Sequence, residues 1–181
     1  MHTRNGWALQ AIVIGAFFYP ILCISATCGT TLSLPLIARE PSPVNGYQVL
    51  LDYDPVYPEW HRLKVYFDGG FSHLTTNTAN YTTINIYSLS PVVRYTFLCH
   101  GIMRPYFELS IGLSYLNHTR FDHKNLGIHM SFQDRAGIGA FLGISERFSL
   151  GIHALHYSNA SLSSHNSGIS IPLVLDIGYR F

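Results

Sequence analysis

A histidine and a serine two positions apart end an apolar run near the C-terminus, in the stretch LHYSNASLSSHNSGIS at residues 155–170. His156 and Ser158 are a general base and a nucleophile, the pair that serine esterases use to attack an acyl carbon. In a β-strand, residues i and i+2 leave the same face about 6.6 Å apart along the chain. The two side chains can therefore form a hydrogen bond if the strand end twists or bulges.

The spacing by itself is weak evidence for an active site. The chain contains ten histidines and many serines, so chance pairs of this kind are expected. The alternative interpretation is an interfacial histidine and serine that only contact lipid headgroups. Which interpretation holds depends on the strands that carry His156 and Ser158.

The composition describes a single domain in apolar surroundings. The chain has 181 residues, of which 48% are hydrophobic and 12% are charged, and this charged share is about half of what soluble domains have. The formal net charge is +1, and no run of lysine and arginine suggests a nucleic-acid or polybasic membrane surface. We therefore exclude nucleic-acid binding.

The N-terminal 26 residues have the pattern of a secretory signal peptide. Arg4 precedes an apolar stretch from Trp7 to Ile24, and the small residues Ser25 and Ala26 follow at a plausible cleavage point. The alternative is an uncleaved membrane anchor, because the stretch approaches the length of a transmembrane helix. We predict a signal peptide at 1–26 and one mature domain at 27–181.

Beyond residue 26, hydrophobic residues recur at every second position, which is the periodicity of β-strands. In YFELSIGLSYLN, residues 106–117, the apolar side chains alternate with Glu108, Ser110, Gly112 and Ser114. A soluble β-sandwich turns its apolar face inward, whereas a membrane barrel turns it outward. The opposite face is small, polar and charged, as in a narrow lumen filled by paired side chains. We predict an all-β fold, an eight-stranded antiparallel transmembrane β-barrel of the outer membrane, with a secreted sandwich as the alternative.

The predicted topology places the histidine and serine at the extracellular end of the barrel. Eight strands leave both termini on the periplasmic side, so the last two strands join outside the cell. His156 and Ser158 share parity with Phe148, Leu150 and Ile152, so they face the lipid. The predicted strands are 29–38, 46–53, 60–71, 82–98, 103–117, 128–142, 147–158 and 168–181, and the stretches at 72–82 and 117–127 are predicted outer loops.

The last strand alternates apolar residues up to a terminal phenylalanine, which resembles the C-terminal strand of outer-membrane barrels. Barrel assembly machinery recognises such strands, so we expect it as a partner. The alternating residues are Ile169, Ile171, Leu173, Leu175, Ile177, Tyr179 and Phe181.

Three segments resemble the PagL-type lipid A 3-O-deacylases. They are HYSNASLSSHNSG at 156–168, PYFELSIGLSYLNHTRFDHKNLGIHMSFQDRAGIGA at 105–140, and the terminal aromatic strand. The resemblance implies a serine esterase site on the lipid-facing outer surface of the barrel, which hydrolyses the ester-linked 3-hydroxyacyl chain at position 3 of lipid A in lipopolysaccharide. By matching position, Ser158 is the nucleophile and His156 the base, and Asn159 follows as in the family motif.

One position departs from the family pattern. The family has a glutamate fourteen residues after the histidine, and this chain has Ser170 there. Such an acid orients the imidazole and stabilises the imidazolium. Asp134 is a candidate substitute, because a hairpin symmetric about Ser145 sets it opposite His156. The alternative is that Asp134 binds Arg135, a loop donor or water.

Negative charge on the reacting ester needs preorganised donors, and Asn159, its backbone N–H and N–H groups of the following loop are candidates.

We predict no metal site, because His118, His123 and His129 do not have the spacing of a compact ligand set, and we predict no other cofactor.

Two other functions stay open. The first is a non-catalytic small barrel, either structural, adhesin-like or a deacylase relative that lost its acid. The second is an outer-membrane protease, which needs a larger barrel with acidic pairs at its rim. We leave the formation of a homodimer open as well.

Two cysteines remain after removal of the signal peptide, Cys28 and Cys99. Both fall on the oxidising periplasmic side, so we predict a disulfide between them. A non-reducing gel shift that is lost in Cys99→Ala tests this pairing.

Overall fold

A computed structural model describes residues 26–37, 43–55, 59–77, 80–98 and 101–181. Eight antiparallel strands close into a barrel in the order β1-β10-β9-β8-β5-β4-β3-β2, and β6 and β7 form a separate hairpin. Among these residues, no helix is long and apolar enough to cross a bilayer. The strands are β1 (Ala26–Ile37), β2 (Val44–Pro55), β3 (Leu63–Thr76), β4 (Thr83–Thr96), β5 (Met103–Leu116), β6 (Arg120–Phe121), β7 (Lys124–Asn125), β8 (Met130–Leu142), β9 (Phe148–Ser158) and β10 (Ile169–Arg180).

The predicted eight-stranded barrel is confirmed, and most strand ends lie close to their predicted positions. The largest difference is at the end of β3, which continues to Thr76 where the sequence predicted a loop from Ser72. The pairing of Thr75 with Thr83 keeps this end in the barrel, because β-branched threonines suit a pleated surface. The predicted signal peptide lies outside the described residues, except for Ala26, where β1 begins.

The apolar face of the strands points outward, as predicted. In β5, Ile111 is 68% exposed whereas its neighbour Ser110 is 4% exposed. Glu108 and Ser114 are also buried, on the same inner face as Ser110. With apolar side chains around the outside and polar side chains within, the barrel is of the outer-membrane type.

The lumen on the periplasmic side contains a network of ion pairs. Arg135 lies 2.5 Å from Asp68 and 3.8 Å from Glu108. Arg94 also binds Glu108, at 2.8 Å, and the Tyr66 hydroxyl donates to the same carboxylate. Pairing of this kind is required because an isolated charge away from water is very costly. The predicted polar lumen is therefore correct for this half of the barrel.

The extracellular half of the lumen is apolar, which corrects the prediction of a lumen filled by polar side chains. Phe121 and Leu126, from the β6–β7 hairpin and its end, are 1% and 0% exposed and cap the barrel from above. Inward-facing residues of six of the barrel strands complete this core. The whole cluster is Val44, Leu74, Ile84, Ile86, Leu116, Phe121, Leu126, Leu155, Tyr157, Ile169, Ile171 and Val174.

A β-bulge in β10 reverses the alternation of its side chains. Ile171 pairs with Leu155 and Val174 pairs with His153, so two residues, Pro172 and Leu173, stand against one. Ile169 and Ile171 are therefore buried inside the barrel, whereas the sequence pattern predicted them on the outer face. Leu175, Ile177 and Tyr179 beyond the bulge are on the outer face as predicted. The bulge also turns Ser170 outward.

Cys28 is buried near the start of β1, and its sulfur is in a disulfide. The other two cysteines of the chain, Cys23 and Cys99, lie outside the described residues. The predicted bond to Cys99 therefore stays a prediction.

Candidate active site

His156 stands at the centre of a row of three polar side chains on the outer surface. Asp134 of β8 pairs with His156 of β9 in the strand register, and Ser170 of β10 pairs with it from the other side. The predicted register, with Asp134 directly opposite His156, is confirmed. Directly opposite residues in antiparallel strands have Cβ atoms about 5 Å apart. The row thus gathers a carboxylate, an imidazole and a hydroxyl from three neighbouring strands.

The imidazole of His156 is hydrogen-bonded through Nδ1, which lies 2.8 Å from the Oγ of Ser170. The contact depends on the bulge at Pro172 and Leu173, because regular alternation from Leu175 would place Ser170 inside the barrel. When Nδ1 carries the proton, it donates to Ser170 and leaves Nε2 as the basic nitrogen. Ser170 can therefore fix the tautomer that a general base on Nε2 requires.

Gly168 lies against the Cε1–Nε2 edge of the imidazole. A Cβ added at Gly168 would lie 2.8 Å from Cε1 and 3.3 Å from Nε2 of His156, and the φ of Gly168 is 29°. Both the contact and the backbone angle favour glycine at this position. Since Ile169 pairs with Tyr157, Gly168 lies beside the strand end that carries Ser158. The Nε2 edge of the ring is therefore on the side of Ser158.

Ser158 ends β9, half-buried on the outer face, as predicted. Its neighbour across the sheet is Phe132 of β8. In the described part of the chain, no hydrogen bond joins Ser158 to His156. Contacts between nucleophile and base are often loose without substrate and tighten in the reacting complex. The structure therefore places the two residues on one face at one strand end without joining them.

Asp134 is half-buried on the outer face of β8. Its neighbour Arg135 points into the lumen and binds Asp68, so the predicted alternative of an Asp134–Arg135 pair is wrong. Within the described ranges, no hydrogen bond joins Asp134 to His156 either. A carboxylate among apolar groups is unfavourable unless it is hydrated or paired, and the nearest group in register that can become a cation is His156.

Asn159 is fully buried and anchors the loop that follows the nucleophile. Its Nδ2 donates to the carbonyl oxygens of Leu126 and His165, and its Oδ1 accepts the Ser161 N–H. Its backbone N–H donates to the Asn166 side chain. Both amide hydrogens are in use, so the predicted role of this side chain as an oxyanion donor finds no free N–H in this conformation. Nothing in the residue spacing predicted that Asn159 anchors this loop.

A groove of about 430 Å³ opens on the outer surface beside the row. Apart from the three polar residues, its lining consists mainly of apolar and small side chains, and it crosses β5, β8, β9 and β10. The lining residues are Leu109, Ser110, Ile111, Asp134, Arg135, Ala136, Ala154, Leu155, His156, Ser170, Ile171 and Pro172.

His118, His123 and His129 all lie among the described residues. No group of three or more histidine, cysteine or acidic ligands comes together among the residues that the structure describes. His129 instead contacts the Leu116 carbonyl through Nδ1 and stacks on Tyr115.

The family model for lipid A 3-O-deacylase (PagL) matches residues 45–179, which include the groove, the polar row and Ser158. The chain belongs to this family. It is 36% identical over 108 residues to the lipid A deacylase PagL of Pseudomonas aeruginosa, which covers 60% of each chain. It is also 35% identical over 78 residues to the lipid A deacylase PagL of Bordetella bronchiseptica, covering 43% of this chain and 42% of that one. The matches thus span less than two thirds of both relatives.

Two solved structures are similar over nearly their whole length. The crystal structure of the outer membrane enzyme PagL has a TM-score of 0.63 and 26% identity, and the match covers 83% of this chain and 98% of that one. Neisserial surface protein A has a TM-score of 0.57 and 13% identity, with 86% and 96% covered. The second likeness concerns the fold alone. Membership of the PagL family and the barrel together place the chain in the outer membrane of a Gram-negative bacterium.

Proposed function

We propose that the chain is a lipid A 3-O-deacylase, a serine esterase that hydrolyses the ester-linked 3-hydroxyacyl chain at position 3 of lipid A. The observation that carries the proposal is the row of three polar side chains at His156. This row borders an apolar groove on the lipid-facing surface, near the extracellular end of the barrel. A site in this place meets an ester at the membrane interface without removing the lipid from the bilayer. Lipopolysaccharide is then both the substrate and part of the surrounding membrane.

The proposed reaction has two steps. His156 Nε2 takes the proton of Ser158 while Oγ attacks the ester carbon, and the resulting tetrahedral intermediate expels the sugar 3-oxygen, which receives the proton from His156. Water activated by His156 then attacks the acyl-serine and releases the free 3-hydroxy acid. Ser158 recovers its proton, so the enzyme ends as it began.

Two side chains assist His156 in this proposal. Ser170 holds Nδ1 through its hydroxyl oxygen and keeps Nε2 available, but it carries no charge to stabilise the imidazolium. Asp134 supplies that charge from the neighbouring strand, at a cross-strand distance where an opposite charge is felt strongly in apolar surroundings. Together they replace the single glutamate that the family resemblance implies.

The oxyanion donors in this proposal are backbone N–H groups of the loop after Ser158, and Asn159 fixes the shape of that loop. Ala160 and Ser161 both have positive φ angles, 49° and 63°. The N–H groups of Asn159, Ser161 and Leu162 already donate to Asn166, to the Asn159 side chain and to the Asn159 carbonyl oxygen, so the Ala160 N–H is the candidate donor of this turn. Removal of an oxyanion donor from a hydrolase typically costs a factor of about 10²–10³ in turnover.

Two partners belong to the same proposal. The barrel assembly machinery would recognise the last strand, which ends in exposed Phe181. A second copy of the chain is a further candidate partner.

The alternative is a non-catalytic barrel of the same family. It is favoured by the absence of a His156–Ser158 hydrogen bond in the described residues and by serine in the place of the family glutamate. Mass spectrometry of lipid A from cells that express the chain separates the two. Loss of one hydroxyacyl chain that depends on Ser158 supports the enzyme, and an unchanged lipid A profile supports the non-catalytic barrel.

A further inference from the structure

The loop at 159–168 joins Ser158 to the strand that carries Ser170, and it contains the proposed oxyanion donor, the Ala160 N–H. Ala160, Ser161 and Leu162 are all exposed. Exposed loops are usually more mobile than the strands that they connect, whereas an oxyanion donor must be in place before the reaction begins. The contacts that hold this loop from outside therefore matter for catalysis.

The neighbouring outer loop holds both ends of this loop through its backbone. At the start, the Leu126 carbonyl oxygen accepts a hydrogen bond from the Nδ2 of Asn159 at 2.5 Å. At the other end, the Asn125 carbonyl oxygen accepts the Ser167 N–H at 3.1 Å. Two consecutive residues at the end of the β6–β7 hairpin thus bind residues that are eight positions apart in the loop.

The next residue, Gly127, packs against the middle of the same loop. A Cβ built on Gly127 would lie 2.1 Å from Oγ and 3.0 Å from Cβ of Ser163, and 3.1 Å from the His165 carbonyl oxygen. The φ of Gly127 is 74°, in the region that favours glycine. The two backbones therefore approach as closely as they do because no side chain stands between them.

The hairpin is itself fixed by the barrel. Phe121 and Leu126 are 1% and 0% exposed and pack in the apolar core of the lumen. The Leu126 N–H donates to the Thr119 carbonyl oxygen, and the Asp122 N–H donates to the Tyr81 carbonyl oxygen of the loop between β3 and β4. The position of the hairpin is thus determined by the barrel and not by the loop that it holds.

We propose that residues 125–127 form a clamp, which positions the loop after Ser158 and so controls the rate of the esterase site. The inference rests on the proposed deacylase function and names a means of regulating that site. The clamp residues are positioning residues, because they act through the Ala160 N–H. Displacement of a catalytic group by about 1 Å can cost 10²-fold in rate.

A pair of glycine substitutions tests the clamp. Gly143, in the periplasmic turn after β8, has a φ of 81°, and a Cβ there would meet no atom within 4 Å. Gly127→Ala and Gly143→Ala thus carry similar backbone strain, but only the first pushes on the loop. On 3-O-acylated lipid A, the kcat of Gly127→Ala should be about tenfold below that of Gly143→Ala. KM should be nearly unchanged, because the oxyanion forms only in the transition state.

A second substitution should rescue the first. Ser163→Gly removes both side-chain atoms that the new Cβ of Gly127→Ala would meet, so the double variant Gly127→Ala/Ser163→Gly should recover most of the lost kcat. All variants are first checked for a folded barrel by heat-modifiable gel mobility. Equal kcat in Gly127→Ala and Gly143→Ala overturns the proposal, and so does a loss of kcat in Gly127→Ala that Ser163→Gly does not reverse.

Hydrogen exchange tests the clamp without turnover. Exchange at 160–167 should be faster in Gly127→Ala than in the wild type and unchanged in Gly143→Ala, while the barrel strands stay protected in both. Equal exchange at 160–167 in the two variants overturns the clamp. Faster exchange in Gly127→Ala alone, together with no hydrolysis of lipid A by the wild type, would refute the deacylase function and leave the clamp standing as the contact that orders this loop.

Discussion

The Nδ1 of His156 lies 2.8 Å from the Oγ of Ser170. Ser170 stands at the position where the family resemblance implies a glutamate. A hydroxyl can orient the ring, but it cannot compensate the charge that the ring gains when it takes a proton. This one contact therefore predicts an esterase that is correctly assembled and slower than its carboxylate-bearing relatives.

Substitution of Ser170 tests that relationship in both directions. Ser170→Ala removes one neutral hydrogen bond of about 0.5–1.5 kcal/mol, so kcat should fall about 2–10-fold. Ser170→Glu replaces that bond by a charged one worth about 1–1.5 kcal/mol more, so kcat should rise about 5–10-fold. Both variants are assayed on 3-O-acylated lipid A, with folding checked by heat-modifiable gel mobility. A folded Ser170→Ala with wild-type kcat would show that the contact is irrelevant to catalysis.

Asp134→Asn should lower kcat by roughly tenfold and leave KM nearly unchanged. Its carboxylate lies one strand from His156, and an opposite charge at this separation stabilises the imidazolium of the transition state by an amount on the order of 1–3 kcal/mol. Steady-state kinetics on the same lipid A separate the two constants. The proposed role is wrong if Asp134→Asn keeps full activity in a folded barrel.

The two substitutions should also be coupled. In Ser170→Glu, a carboxylate already stabilises the imidazolium, so the further change Asp134→Asn should cost less than it costs in the wild type. A double-mutant cycle measures this coupling. Strict additivity would mean that Asp134 and Ser170 act on different groups.

Asn159→Ala should loosen the loop between β9 and β10 as well as reduce turnover. The substitution leaves the Leu126 and His165 carbonyl oxygens without their donor, and the loss at the buried Leu126 carbonyl costs about 1–3 kcal/mol. Hydrogen exchange at 160–168 should therefore become faster while the barrel strands stay protected. Unchanged exchange with a large fall in kcat would instead favour Asn159 as a direct oxyanion donor.

The ion pair between Arg135 and Asp68 should dominate the stability of the lumen. Asp68→Asn removes the nearer of the two carboxylates that pair with the buried guanidinium and leaves only the longer contact with Glu108; breaking a buried ion pair typically costs about 3–5 kcal/mol. Urea unfolding of the refolded protein in lipid vesicles measures the loss. The control is Lys64→Gln, which breaks the more exposed pair with Asp54 and should cost no more than about 1 kcal/mol. Equal losses of unfolding free energy in Asp68→Asn and Lys64→Gln would contradict the dominant role of the Arg135–Asp68 pair.

Much of this barrel could be predicted from the sequence because apolar residues recur at every second position of each strand. The outward direction of His156 and Ser158 follows from the apolar residues that precede them in β9. The register of Asp134 with His156 follows from the short connection after β8. Both predictions use local geometry, which a single strand or hairpin fixes by itself.

The remaining features depend on contacts between distant parts of the chain. The bulge at Pro172 and Leu173 is visible only in the pairing of β10 with β9, and it decides the direction of Ser170. The buried positions of Phe121 and Leu126 depend on the hairpin that folds over the lumen. The hydrogen bonds of Asn159 likewise join a loop to that hairpin, so no spacing along the sequence could indicate them.

The decisive measurement uses purified protein in vesicles with two otherwise identical lipid A species, one with and one without the 3-O-acyl chain. The proposed function predicts one free 3-hydroxy acid released per molecule of the first species and none from the second, with release lost in Ser158→Ala. Ser164→Ala, a change in the exposed part of the same loop, should keep wild-type release. Release that survives in folded Ser158→Ala, or no release from the first species by the wild type, would contradict the assignment of Ser158 as the nucleophile of a lipid A 3-O-deacylase.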